Sequence, residues 1–235
     1  MIFSKIQTQN RLYFQLAGAL YMAIAVIGGF SIGYMPTTIV VDGDAALTFE
    51  NLSNNQSIFK WGIAGDIFVL MAEVVLSVML FQLFKSFSKT SLRIATYSRL
   101  AMAIIMGINL INYAVPEILV SDTDALGSLG KGEMEALTLL FFKMHKAGEM
   151  VWQVFFSIHL FALGYALIES KITPKWLGPI MMVGSFGYGG DCMTQLLFIE
   201  SKGLSMVFSA LLVLAVVSEL WLIFWLLIKG GVKRA

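Results

Sequence analysis

Charge is the scarcest commodity in this 235-residue chain: only 13% of residues are Asp, Glu, Lys or Arg, against 58% hydrophobic ones. Soluble domains carry about 25% charged and about 45–50% apolar residues, so the composition excludes an ordinary soluble globule. Cysteine is almost absent. Cys192 stands alone, which excludes an intrachain disulfide framework and any multi-cysteine metal knuckle; it reads as a small apolar residue inside a helix bundle. Histidine is nearly as rare, with His145 and His159 the whole supply. Neither sign of charge predominates: the net charge is +1, and without a basic arm or Lys/Arg run nothing points to nucleic acid. Low-complexity segments, GxSxG, Walker and HExxH motifs are all missing.

What is present is long apolar stretches. A membrane helix needs about 20 mainly apolar residues, and six stretches qualify: 12–35, 59–84, 93–119, 137–168, 176–199 and 205–229. The first, Leu12 to Met35, exceeds a signal-peptide core of about 7–15 residues and lacks an A-x-A-like site, so it reads as a retained span. The connectors "PTTIVVDGDA", "KSFSKTS", "SDTDALGSLGKGE" and "ESKITPKW" carry turn chemistry or charge. The fold expected is all-α: one domain over 1–235, a bundle of six transmembrane helices.

Lys and Arg placement sets the expected orientation. One side holds Lys5, Arg11, Lys85, Lys89, Arg93, Arg99, Lys171, Lys175, Lys229, Lys233 and Arg234. The opposite side has few cations and most of the loop carboxylates, including Asp42, Asp44, Asp122, Asp124 and Glu200. Both termini are therefore expected in the cytoplasm, the chain in the cytoplasmic (plasma) membrane. Span four extends upstream to Glu133, so Lys143 and Lys146 are expected to project or snorkel at the outer interface. "NLS" at 51–53 and "NQS" at 55–57 fit a glycosylation acceptor, a triplet common by chance.

Ionisable residues inside a span are costly and face protein or water. At 1.5 Å per residue, Asp66, Asn109, Asn112, Tyr113, Glu149, Gln153 and Asp191 fall in one outer layer, with His145 at its rim. Facing agrees, at about 100° per residue. His145, Glu149, Trp152, Phe156 and His159 follow one line; Gly184, Tyr188, Asp191 and Gln195 a second; Asp66, Leu70, Glu73 and Ser77 a third. Asp66, Asn109, Asn112, Tyr113, His145, Glu149, Gln153, Tyr188 and Asp191 are the expected lining of an outward-facing polar cavity for a small polar or ionic ligand. Glu73, His159 and Glu219 form a deeper layer, open to two readings: a proton relay or a buried ion pair that fixes helix register.

Three functions remain open from the residues. The cavity can bind, sense or transport a ligand. Asp66, His145, Glu149 and Asp191 can instead serve a membrane-embedded hydrolase or lipid-modifying enzyme, as acid and base or around a divalent metal. Or the polar residues only join helices, making a structural subunit. "GSFGYGG" at 184–190 suits close helix packing better than phosphate binding. Lipid is the partner implied by the spans, a small ligand or ion the second, and oligomerisation is open.

Several segments, in order, resemble one family: "RLYFQLAGALYMAIAVIGGF", "VDGDA", "KMHKAG", "FFSIHLFALGYALIES", "PKWLG", "GYGGD" and "SELWLIFWLLIKGG". Over nearly the whole chain the sequence is similar to the bacterial membrane proteins of the domain of unknown function 4386 family. The resemblance implies a bacterial cytoplasmic-membrane protein and highlights His145, Gly164, Tyr165, Pro174, Leu177, Gly178, Tyr188, Asp191 and Glu219. It implies no substrate or reaction. The Lys143/Lys146 pair flanking His145 departs from it.

Overall fold

The computed structural model describes residues 2–121, 128–197 and 201–228, with side chains from Arg11 onward. The calls on Asp122, Asp124, Glu200, Lys229, Lys233, Arg234 and the last residues of spans five and six lie outside the described residues, as does the side chain of Lys5. All regular elements described are helical: α1 (Ile2–Gly28), a π-helical turn (Gly29–Tyr34), α2 (Met35–Ile39), α3 (Ala45–Asn54), α4 (Gln56–Phe84), α5 (Lys89–Asn109), α6 (Ile111–Ser121), α7 (Lys131–Ser170), α8 (Leu177–Leu196) and α9 (Lys202–Ile228).

Five of the expected spans are helices long and apolar enough to cross a membrane: Arg11–Ile39, Gln56–Phe84, Lys89–Ser121, Lys131–Ser170 and Lys202–Ile228. The expected count of six is corrected to five among the described residues. The stretch that falls short is α8, Leu177–Leu196, whose glycines, Tyr188, Asp191 and Gln195 dilute its apolar character. Its glycines are there for packing. A Cβ on Gly184 would lie 2.5 Å from the Ala215 nitrogen, and one on Gly178 2.5 Å from the Gly164 carbonyl. Gly187 meets Leu212 in the same way, so α8 runs antiparallel along both α7 and α9 with backbones nearly in contact.

Between the first two expected spans, residues 45–54 form a further helix, α3. Asp44 caps it by accepting from the Leu47 N–H at 2.9 Å, after Gly43 turns the chain at φ +79°. Thr48 and Leu52 are its buried face. The Asn51 side chain, part of the glycosylation triplet, donates to the Ile39 carbonyl at 3.2 Å.

The chain groups into two compact units. Unit one comprises Met1–Ile24, Ala72–Ala103 and Met150–Ala235; unit two comprises Ala25–Met71 and Ile104–Glu149. In unit one, Phe14 meets Phe84 and Trp225 edge-on, with ring centroids 6.3 and 5.7 Å apart. In unit two, Met35, Ile39, Leu52, Phe59, Tyr113 and Phe142 form a buried cluster. Phe59, Tyr113 and Phe142 contact one another at 5.3–5.7 Å between centroids.

Two membrane-length helices are interrupted inside unit two. In Arg11–Ile39 the winding loosens to π over Gly29–Tyr34, just before Pro36, which has no N–H to return to the preceding turn. The hydroxyls of Thr37 and Thr38 cap the Tyr34 carbonyl at 2.8 and 3.0 Å. In Lys89–Ser121 the break falls at Leu110, between α5 and α6. The Tyr113 N–H bonds the Leu110 carbonyl at 3.0 Å, which deprives the Asn109 carbonyl of its ordinary helical donor. Pro116 follows within α6.

Candidate functional site

The freed Asn109 carbonyl does specific work. It faces His145 Nδ1 at 3.2 Å, while the Asn109 side-chain amide donates to the His145 carbonyl at 2.8 Å. Asn112 Nδ2 completes the knot by donating to Asn109 Oδ1 at 2.8 Å. Gly148 makes room for it, since a Cβ there would overlap the Asn109 side chain. A carbonyl at Nδ1 assigns the proton to that nitrogen, leaving Nε2 with its lone pair. The imidazole lies flat on Tyr113, with centroids 3.7 Å apart and planes within 15°. Its Nε2 is 3.6 Å from Glu149 Oε1, too far for a hydrogen bond. Glu149 is instead held by Lys146, at 2.8 Å.

Asp66 lies in the same unit and is the unexplained group. Gly65 lets α4 approach the π-helical turn: a Cβ there would meet Ile27 Cγ2 at 3.1 Å and Ser31 Cβ at 3.3 Å. Asp66 is thereby placed beside Ser31, within Coulombic range of Glu149 and Tyr113. The Ser31 hydroxyl donates to the Ile27 carbonyl at 2.9 Å, and it stands beside the Asp66 carboxylate outside hydrogen-bonding geometry. Asp66 is 3% exposed, and both carboxylate oxygens are buried with no hydrogen-bond partner. Among the buried carboxylates of the described residues, Asp66 alone has both oxygens unmet.

The deeper layer assembles in unit one, around Arg99, a residue expected at the cytoplasmic face. Arg99 is 1% exposed. Its Nε is paired with Glu73, and its Nη1 lies 2.9 Å from His159 Nε2. His159 Nδ1 faces the Ala95 carbonyl at 2.8 Å, so Nδ1 carries the proton and Nε2 accepts from Arg99. The guanidinium also stands 4.7 Å over the Tyr21 ring, and Tyr21 Oη donates to Glu219 at 2.5 Å. Glu73, His159 and Glu219 thus belong to one network, with Arg99 and Tyr21 as its missed members. The signal for Arg99 was available: it lies ten residues, about 15 Å, beyond the first residue of α5.

The remaining expected site residues are also in unit one. Tyr188 packs on Phe156 and Trp152, at 4.8 and 6.2 Å between centroids. Trp152 stacks on Phe156 at 4.9 Å, and Phe156 on His159 at 5.9 Å, so that expected face is a ladder of rings. Asp191 is half-buried and accepts from Gln195 one turn on, at 2.6 Å. Gln153 is half-buried, and its carbonyl oxygen has no partner. The metal candidates Asp66, His145, Glu149 and Asp191 are not brought together as a ligand set: among the described residues no three His, Cys, Asp or Glu side chains converge to hold an ion. A cavity of about 490 Å³ opens in unit one among Ser91, Ile94, Ser157, Phe161, Tyr165 and Phe186. Its walls are mainly apolar, and none of the residues expected to line a polar cavity is among them.

Helices of membrane length, with charged networks buried inside them, define an integral membrane protein. Residues 16–230 match the family described as Domain of unknown function (DUF4386), and the chain belongs to that family. An uncharacterized protein of Archaeoglobus fulgidus is 35% identical over 78 residues, which is 33% of this chain. The match spans 43% of that relative's length. No solved structure matches the chain.

Proposed function

We propose that this membrane protein binds a small polar or ionic ligand at the unit-two cluster of Asp66, Asn109, Asn112, Tyr113, His145 and Glu149, in order to sense or transport it. One observation carries the reading: the Asp66 carboxylate is buried with both oxygens unmet. An isolated carboxylate in a low-dielectric interior costs several kcal/mol. A group serving only to join helices would have a donor on a neighbouring helix. The knot of Asn109, Asn112 and His145 is such a joint, and Asp66 is outside it.

Replacing Asp66 by Asn tests this. Purified protein in a choline-based, ligand-free buffer should melt at the same temperature or higher, since no protein cation is stranded. A loss on the order of 3–5 kcal/mol, the cost of breaking a buried pair, would make Asp66 structural and defeat the reading.

The Lys and Arg distribution supports an amino terminus in the cytoplasm of a bacterial cell. The antiparallel packing of α8 along α7 and α9 supports its lying at bilayer depth beside them, which returns the carboxyl terminus to the cytoplasmic side. Its interior glycines need no separate apolar surface, because neighbouring helices cover them.

A further inference from the structure

We infer that Asp66 and Ser31 form a site for a small monovalent cation of the sodium type, seated at the π-helical turn of the first membrane helix. The inference rests on the reading that a ligand, not the protein, meets the Asp66 charge, and it names that ligand's class.

Chemistry narrows the class in three steps. First, the unmet atoms are acceptors: two carboxylate oxygens, with the Ser31 hydroxyl beside them. The Ser31 proton is committed to the Ile27 carbonyl, so its oxygen presents lone pairs. Oxygen donors select hard cations. Second, charge balance selects a single positive charge. Glu149 has Lys146 as its partner, leaving one formal negative charge on Asp66; a divalent ion would leave an excess positive charge in a medium that penalises it. Third, the backbone favours an ion over a bulky organic cation. The approach at Gly65 leaves Ser31 within 3.3 Å of where a Cβ would stand, so the space between α4 and the π-helical turn is narrow. Interrupted membrane helices recur at Na⁺ and H⁺ sites, where unwound carbonyls and half-helix ends supply ligands, and π-helical turns occur often at functional sites.

The test uses the full chain in detergent at fixed pH and ionic strength, with sodium chloride exchanged for choline chloride. Sodium should raise the melting temperature saturably, and radioactive sodium should bind at one ion per chain. Asp66→Asn should abolish both effects. Ser31→Ala should weaken binding about tenfold, while Ser77→Ala, which removes another buried serine that bonds its own helix, should leave it unchanged. Should Asp66→Asn fail to fold, Asp66→Glu should fold and bind sodium more weakly. Sodium binding that survives Asp66→Asn, or melting indifferent to sodium, overturns the inference. If methylammonium then stabilises the native protein but not Asp66→Asn, the ion assignment alone falls. If neither cation acts and Asp66→Asn destabilises strongly, the underlying reading falls with it.

Discussion

Asp66 and Arg99 show opposite answers to the same physical problem. Both are ionisable and almost fully buried, and such a group must be paired, coordinated, hydrated or, for a carboxyl, protonated. Arg99 is saturated by the chain itself, with Glu73, His159 and the Tyr21 face around it. Arginine does not give up its proton, and it stands between Glu73 and His159, so the arrangement fits an ion-pair joint better than a relay. Arg99→Met should therefore strand Glu73 and destabilise by about 3–5 kcal/mol, whereas Glu73→Leu combined with Arg99→Met should recover most of that loss. Denaturant melts of the single and double variants in one detergent check this; a double variant as unstable as the single would remove the pair from the account. Both residues were visible in the sequence, but Arg99 was counted by sign and loop proximity, not by its distance along α5.

At the scale of the elements, unit two is built on interruptions. Periodicity and length made the long helices legible, because burying one face of a 3.6-residue period is a local property of each stretch. The polar stripes were legible for the same reason: His145 and Glu149 do share a face, and Asn109 does reach the His145 backbone. The π-helical turn and the break at Leu110 were not, since each depends on which carbonyls find donors across helices. "GFSIGYMP" held the only hint, two glycines and a proline around Ser31. The knot at the break makes a sharp prediction. Gly148→Ala drives a methyl group into Asn109, and overpacking of this kind costs about 1–3 kcal/mol. Pairing it with Asn109→Ala should restore part of the stability, as a melting comparison of the two variants would show. An unchanged melting temperature in Gly148→Ala would mean that Asn109 is not inserted there.

For the whole molecule, hydropathy and family resemblance agreed on a membrane protein, and the family match extends over most of the chain. By apolar content α8 falls short of the five membrane-length helices, and glycine packing takes the place of apolar bulk along it. Topology therefore tests the arrangement. Reporter fusions at Lys89 and Thr173 should be cytoplasmic and at Asp44 and Lys202 external, with the carboxyl terminus cytoplasmic; an external carboxyl terminus would mean that α8 does not cross. The central claim, however, is local to Asp66, and an experimental map of the native protein purified in sodium tests it most directly. Density for a bound species within coordination or hydrogen-bonding distance of both Asp66 oxygens is the predicted result. A lysine, arginine or backbone donor occupying those oxygens instead would contradict the account.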